Sequence, residues 1–458
     1  MQWMNREDQI MAEISFDFNR VKGAVKPMHG VGQPPLLGID TQYFKYLSEA
    51  HIPYSRLHDV GGWFGGNMFV DIPNVFRDFD ADVEDPASYD FVFTDLLLKA
   101  LDEHHCKPIY RLGVTIENFH QIKSYRIFPP EDYDKWARIC EHIIRHYNEG
   151  WANGFHYDIK YWEIWNEPDG HHIIAENGMW KGTPEQYYDL YRVTSRHLRA
   201  CFGSSIKIGG YASCGFTKIL IDKDIQTKHL VPQPEHMDGL NRLQGFVDFF
   251  DGFLKLVTAE KLPLDFFSYH SYCVTADRFT EIEQYVERRL EDAGLGQTEI
   301  HLNEWATHPF KEVRGTALSC ANSVAMMCAM QDTKMDIMCY YDARIGTSVY
   351  GGLFHPMTYE PLCAYYGFKA FGELYAMGTQ AEASVSEGSG VYVTAAVGNG
   401  KKGALIANIG DDTQVKTNLN GCETMYLIDD DHFMEEVKLD PKEFMLKKNQ
   451  VVLVVSED

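Results

Sequence analysis

Tyr161-Trp162-Glu163-Ile164-Trp165-Asn166-Glu167-Pro168-Asp169-Gly170 is a run of aromatic and β-branched residues of strand length, cut off by a Pro-Asp-Gly turn signal. Just ahead of the break it sets a polar pair, Asn166-Glu167. A carboxylate at the C-terminal tip of a buried strand is costly unless it is paired or put to use. The plain structural account is a Glu neutralised by Arg or Lys beneath a loop. A second strand of the same design, Glu299-Ile300-His301-Leu302-Asn303-Glu304-Trp305-Ala306, also ends in a carboxylate beside an aromatic. Two carboxyl groups flanking one bond, a proton donor and a nucleophile or base, are what cleavage of a glycosidic bond requires.

Outward from these two strands the chain keeps one rhythm. Short strands are expected near 25–31, 54–58, 107–113, 159–166, 206–212, 265–272, 299–305 and 335–341. Helical patterns intervene at about 40–50, 90–104, 131–148, 184–201, 244–259, 277–293, 313–331 and 361–376. Eight strands each followed by a helix predict a parallel sheet closed as a (β/α)8 TIM barrel, placed at residues 21–377. After Gly378 short strands such as Val391–Ala396, Gly403–Asn408 and Val451–Val455 are split by Gly-Asn-Gly and Asp-Asp turns, which predicts an all-β sandwich module over 378–458. At 12–19, Ile14, Phe16 and Phe18 alternate with polar residues. This N-terminal strand, within 1–20, is expected to join the C-terminal module.

Composition narrows the function classes. With 45% apolar and 13% aromatic residues, the 458-residue chain has material for a large buried core rather than disorder. A formal charge of −24, from 42 basic against 66 acidic residues, argues against nucleic acid or an anionic membrane as partner. The first residues show no basic n-region leading into an apolar core, and no run reaches the ~18 apolar residues of a membrane span. The ten cysteines lie in apolar stretches without CxxC spacing, which suits reduced thiols in the cytoplasm. There is no HExxH, no HxH on an early strand and no phosphate-cradling glycine loop, so no metal or other cofactor is expected. His104-His105 read as surface residues and His171-His172 as a solvated loop. A homo-oligomer is compatible with the sequence.

In such a barrel the site is built at the C-terminal strand ends. Those ends carry Arg56-Leu57-His58-Asp59, Asn166-Glu167, His270-Ser271-Tyr272, Glu304-Trp305 and Tyr340-Tyr341-Asp342, with His29-Gly30-Val31-Gly32-Gln33 read as the loop after the first strand. Trp165-Asn166-Glu167-Pro168 resembles the acid/base motif of the retaining glycosidases built on (β/α)8 barrels (clan A). Within that clan the chain resembles glycoside hydrolase family 39, the β-xylosidase and α-L-iduronidase family. Further support comes from 52–58, 107–113, 270–272 and 300–305, and the likeness spans nearly the whole chain.

The resemblance implies Glu167 as acid/base, Glu304 as nucleophile, and Asn166 as the contact to the sugar 2-hydroxyl. It implies that His270 and Tyr272 sit near the nucleophile, the phenol donating to its carboxylate, and that His58 touches the sugar. Arg56, two residues earlier, is grouped with the sugar-binding set and could hold Glu304 ionised. Trp305, Tyr341, Trp63 and His29 complete that set. Trp63, Phe64 and Trp180 read equally as sugar-stacking faces or as loop packing.

Departures from the family pattern cluster at the rim. Asp59 follows His58 where a small residue is usual, and Tyr340-Tyr341 stand where the clan has a Trp. Tyr272 replaces the Lys expected of an iduronidase, which leans towards a neutral sugar, although Arg344 could still reach a carboxylate. The expectation is therefore a retaining exo-glycosidase of β-xylosidase type acting on an oligosaccharide or glycoside. Arabinosidase, glucosidase, galactosidase, disaccharide-releasing or endo-glycanase action, and sugar binding without catalysis, are the alternatives.

Overall fold

A parallel strand with no water on either face must be covered by helices outside and packed by its neighbours inside. The computed structural model, which describes residues 11–61, 69–116, 126–307, 311–346 and 350–457, meets that demand with a closed barrel. β1 (Met11–Ala24) precedes it. β2 (Gly30–Gly32), β3 (Tyr54–Leu57), β4 (Lys107–Leu112), β5 (Tyr161–Ile164), β6 (Lys207–Ser213), β7 (Phe266–Ser271), β8 (Glu299–Trp305) and β9 (Met335–Tyr341) pair in that order, and β9 closes on β2. The helices Val92–Glu103, Tyr133–Glu149, Pro184–Phe202, Met237–Glu260, Ala276–Asp292, Ala317–Met330 and Cys363–Met377 lie between the strands in sequence, near the expected positions.

Period-two alternation sorts the strand residues. One set, Tyr54, Ile109, Tyr161, Phe266, Ile337 and Cys339, packs together as an apolar plug inside the barrel. Their neighbours Leu57, Tyr110, Trp162, Ile164, Phe267, Leu302 and Met338 join the large core shared with the helices. Two residues beyond the plug on β3 and β5 stand Arg56 and Glu163, both fully buried. The barrel interior therefore turns polar as it approaches the C-terminal strand ends.

Two expectations are corrected. The first barrel strand is Gly30–Gly32 rather than 25–31. Pro27 has no N–H for a ladder, and the N–H of Lys26 goes to the Gln331 side chain instead. Gly30 lies so close to β9 that a Cβ there would meet the Met338 carbonyl at 2.6 Å. The stretch 29–33 is thus mostly strand, not the loop after it. Between the strand expected at 206–212 and the helical pattern expected at about 244–259, where no element was expected, lies a helix at Thr217–Lys228.

Past the barrel come β10 (Thr379–Val385), β11 (Val391–Gly398), β12 (Lys401–Asn408), β13 (Thr413–Thr417), β14 (Thr424–Ile428), β15 (Phe433–Val437), β16 (Glu443–Leu446) and β17 (Val451–Glu457). With β1 they form a nine-stranded sheet in the order β15-β14-β17-β12-β11-β10-β1-β13-β16. β1 runs antiparallel to β10 and parallel to β13. Ala12, Ile14 and Phe16 enter a core with Val415, Phe444 and Leu446. Residues such as Ala396, Leu405 and Ala407 join the barrel's core instead, through helices Ala317–Met330 and Cys363–Met377. All ten cysteines are free thiols, seven of them buried. No helix among the described residues is long and apolar enough to cross a membrane.

Because Phe16 is buried in a core that closes one strand onto a distant part of the chain, Phe16→Ala should cost about 3–5 kcal/mol. Chemical denaturation followed by circular dichroism reads this. A loss below about 1 kcal/mol would mean that β1 only decorates the sheet edge.

Candidate active site

β5 ends by breaking its own alternation. Trp165 (φ 74°) and Glu167 (φ 44°) both adopt left-handed backbone, at a cost of about 1–3 kcal/mol each for residues with a Cβ. Packing holds Trp165 there: its indole lies against Trp136 and Trp180 and donates to the Met179 carbonyl. The Glu167 N–H bonds to the Ala212 carbonyl at the end of β6. Asn166 and Glu167 consequently both reach the cavity above the barrel.

β8 achieves the same result with a bulge. Tyr269 pairs with Leu302 but His270 pairs with Glu304, so one residue is skipped. Asn303 and Glu304 therefore both face inward. Asn303 donates to Glu163 inside the barrel, while Glu304 receives Arg56 Nη1 at 2.7 Å and the Tyr272 hydroxyl at 2.9 Å. A carboxyl oxygen of Glu167, one of Glu304 and a ring nitrogen of His270 lie within 4.8 Å of one another. His270 Nδ1 is 2.7 Å from Glu167 and 3.5 Å from Glu304.

Beneath them Arg56 is fully enclosed. Its Nε donates to Glu163 at 2.8 Å and its Nη2 to Asn166 Oδ1 at 2.5 Å. Ser268 and Asn303 take the other Glu163 oxygen. Burial pushes both the Glu167 and Glu304 carboxyls up. Arg56 and Tyr272 bond directly to Glu304 and not to Glu167. Of the pair, Glu304 is therefore the one whose carboxylate is bonded to a cation and a phenol. Burial also lowers His270 to about 4, so its ring is neutral between the two acids.

The rim is a second network. Arg111 Nε donates to His58 Nδ1 at 3.2 Å, which leaves the His58 proton on Nε2, 3.1 Å from Asp59. Burial lifts Asp59 to about 6 against the pull of Arg111 and Arg344. Tyr341 donates to Asp59 at 3.3 Å and accepts from Gln33 at 3.2 Å. Arg344 lines the same cavity and pairs with Asp342 at 3.0 Å.

Of the residues singled out from sequence, Asn166, Glu167, His58, Tyr272, Glu304 and Tyr341 line one cavity of about 1220 Å³. His270 and Arg56 touch that set from below. Trp305 and His29 do not belong to it. Trp305 follows the β8 bulge and faces outward, against Phe279, Tyr340 and Phe368. His29 stands at the opposite end of its strand, bonded to the His51 carbonyl and packed on Phe371 and Tyr375. Trp180 is loop packing, its indole donating to Thr183. Trp63 and Phe64 lie outside the described residues. Sequence reading passed over Glu163, Asn303 and Gln33, although Glu163 and Asn303 sit within the two stretches that carried the argument. A polar residue within the same stretch, four positions before Glu167 and one before Glu304, was the available signal.

The family model described as glycosyl hydrolases family 39 matches residues 41–304, a span that includes both carboxyls. A beta-xylosidase of Geobacillus stearothermophilus is 22% identical over 286 residues, 56% of this chain and 49% of that protein, so the chain matches about half the length of this relative. Among solved structures, a glucosidase from Croceicoccus marinus superposes with a TM-score of 0.77 at 19% identity, covering 99% of this chain and 100% of that one. A GH39 beta-xylosidase from Caulobacter crescentus gives 0.67 at 17% identity, covering 97% and 100%.

Arg56→Met leaves Glu163 and Glu304 without their buried cation. The expected loss is about 3–5 kcal/mol at neutral pH. With Glu304 raised further above its unfolded value, the variant should lose stability more steeply than wild type as pH rises from 5 to 7. Denaturant titrations across that range read both effects; a wild-type pH slope would show that Arg56 does not hold the Glu304 charge.

Proposed function

The chain belongs to glycosyl hydrolase family 39, and from that premise we propose that it is a retaining exo-glycosidase of β-xyloside type. Glu304 is its nucleophile and Glu167 its acid/base. The observation that carries this reading is the pair of carboxyls brought within 4.8 Å across one cavity, only one of them bonded to a cation. Inverting enzymes need room for a water between acid and base, about 6.5–9.5 Å, whereas direct attack on the anomeric carbon asks for about 5–5.5 Å. The close spacing supports retention.

The chemistry follows from the hydrogen bonds. Glu304, kept bare by Arg56 and Tyr272, attacks the anomeric carbon and forms a glycosyl ester. Glu167 gives its proton to the departing oxygen. As the Glu304 charge is consumed, an anion on Glu167 no longer faces a second anion, and Glu167 can take a proton from the attacking water. The phenol of Tyr272 is pushed well up by burial and by Glu304, so it remains a donor throughout. Asn166, its oxygen tied to Arg56, is oriented to offer its amide to the sugar beside the reacting carbon. His58, Asp59 and Tyr341 supply polar contacts on the far rim. Tyr272 and the absence of a lysine two residues past His270 favour a neutral sugar. The ten free thiols suit a cytoplasmic setting.

Glu304→Gln should fall below about 10⁻⁴ of wild-type kcat on every glycoside. Glu167→Ala should lose about 10²–10⁴-fold on xylobiose, whose leaving group needs a proton, but far less in the glycosylation of nitrophenyl β-xyloside. Azide should restore turnover in Glu167→Ala and yield the β-glycosyl azide. Equal losses on both substrates would remove the acid role from Glu167.

The pH profile is expected to be bell-shaped. Its acid limb is protonation of Glu304 and its alkaline limb is loss of the Glu167 proton. In Glu167→Ala assayed on nitrophenyl β-xyloside the alkaline limb should vanish and the acid limb remain. An alkaline limb that persists would place the titrating acid elsewhere.

A further inference from the structure

The cavity above the two carboxyls is larger than one sugar needs; its volume of about 1220 Å³ exceeds the ~300–1,000 Å³ that encloses a whole drug-sized ligand. Its composition changes along its length. Around Glu167 and Glu304 it is polar. Further out it is walled by two helices, Thr217–Lys228 and Met237–Glu260. Ile221 and Ile225 sit one turn apart on the first helix, and Leu240, Leu243 and Phe246 follow each other down one side of the second. Leu230 and Val231, in the connection, line the same cavity while 53% and 78% exposed. Apolar side chains gathered on a concave surface and left partly wet are the mark of a surface that something apolar covers.

We infer that this wall is an aglycone site for an uncharged alkyl or aryl group, so that the preferred substrate is a glycoside of an apolar alcohol or phenol rather than a sugar chain. The inference rests on the glycosidase reading above, because the aglycone leaves from the carbon that Glu304 attacks. A second sugar in that position would require hydrogen-bond partners for its hydroxyls and an aromatic face for its ring. Among the described residues of this wall, Phe246 is the one benzene ring, and it is almost wholly covered. The polar members Gln233, Glu235, His236 and Arg242 are exposed, and the Arg242 guanidinium is tied to the Gly170 carbonyl. Continuity decides between an aglycone and a second protein surface. The apolar wall and the two carboxyls line one cavity, so a ligand held by the wall would extend to the reacting bond.

The test compares octyl β-xyloside, methyl β-xyloside and xylobiose, with the matching β-glucosides as a second sugar series. Methanol and octanol are similar leaving groups, so their rate difference reads contact with the wall. Each buried methylene should raise kcat/KM about two- to fourfold until the wall is covered, and the octyl to methyl ratio should exceed tenfold. Ile225→Asn and Leu243→Asn, made separately so that one misfolded variant leaves the other, should bring that ratio towards one. A ratio near one in wild type, or xylobiose hydrolysed faster than the octyl glycoside, overturns the inference. So does an octyl preference that both variants retain. Calorimetric titration of Glu304→Gln with octyl glycosides separates this inference from the catalytic reading. Wall-dependent binding with no turnover in wild type would sink the glycosidase assignment and leave the aglycone site standing. Turnover of nitrophenyl and methyl glycosides without wall-dependent octyl binding would do the reverse.

Discussion

One guanidinium organises the interior of this barrel. Arg56 is the residue between the apolar plug and the cavity, and its fork reaches Glu163 on β5, Glu304 on β8 and Asn166 beyond β5. A buried charge is tolerated only when it is paired and hydrogen-bonded, and here the pairing is deliberately incomplete. Arg56 carries one positive charge against two negative ones, on Glu163 and Glu304. Ser268 and Asn303 satisfy the Glu163 oxygen that Arg56 leaves, which fixes that carboxylate as a strut. Glu304 keeps the remaining share. A third anion a few ångströms away, on Glu167, would have no cation bonded to it, which favours a proton there under the roles proposed above. The division of labour proposed for the two acids would thus be set one layer below them.

The fold was legible because barrel strands are short, apolar and regularly spaced, and seven of the eight fell within a residue or two of their observed positions. The eighth was displaced because Pro27 and the tight approach of Gly30 to β9 are contacts that no local pattern announces. Helix Thr217–Lys228 escaped because Lys218, Asp222 and Lys223 interrupt its isoleucines and blur the helical stripe. For the site, strand-end position located the two acids, yet it also nominated Trp305 and His29, which face away. The difference is the alternation rule and its local failures. A bulge in β8 and two left-handed residues after β5 decide which of two adjacent side chains enters the cavity, and sequence shows neither event. Glu163 was passed over because it lies inside a strand rather than at its tip, where its partner Arg56 is visible only across a hundred residues.

The proposed acid is tied to the far wall of the cavity by a short stretch of backbone. Glu167 bonds through its N–H to Ala212, and Asp169, whose carboxyl burial lifts to about 7, accepts from Ser213 and the Cys214 N–H. The loop after β5 is thus fastened to the end of β6. Gly215 comes next, at φ 107°, where a Cβ would meet the His270 carbonyl at 2.2 Å, so this turn can pass beneath the site only as glycine. Two residues later the helix of Ile221 and Ile225 begins. The group that must protonate the departing oxygen and the surface that would receive the departing group therefore share one rigid connection. A shift of the wall displaces the acid with it, and a well-seated aglycone holds its oxygen against the Glu167 proton. Discrimination between leaving groups should on this account appear in the bond-breaking step, where position relative to Glu167 counts, and not only in how tightly the substrate is held.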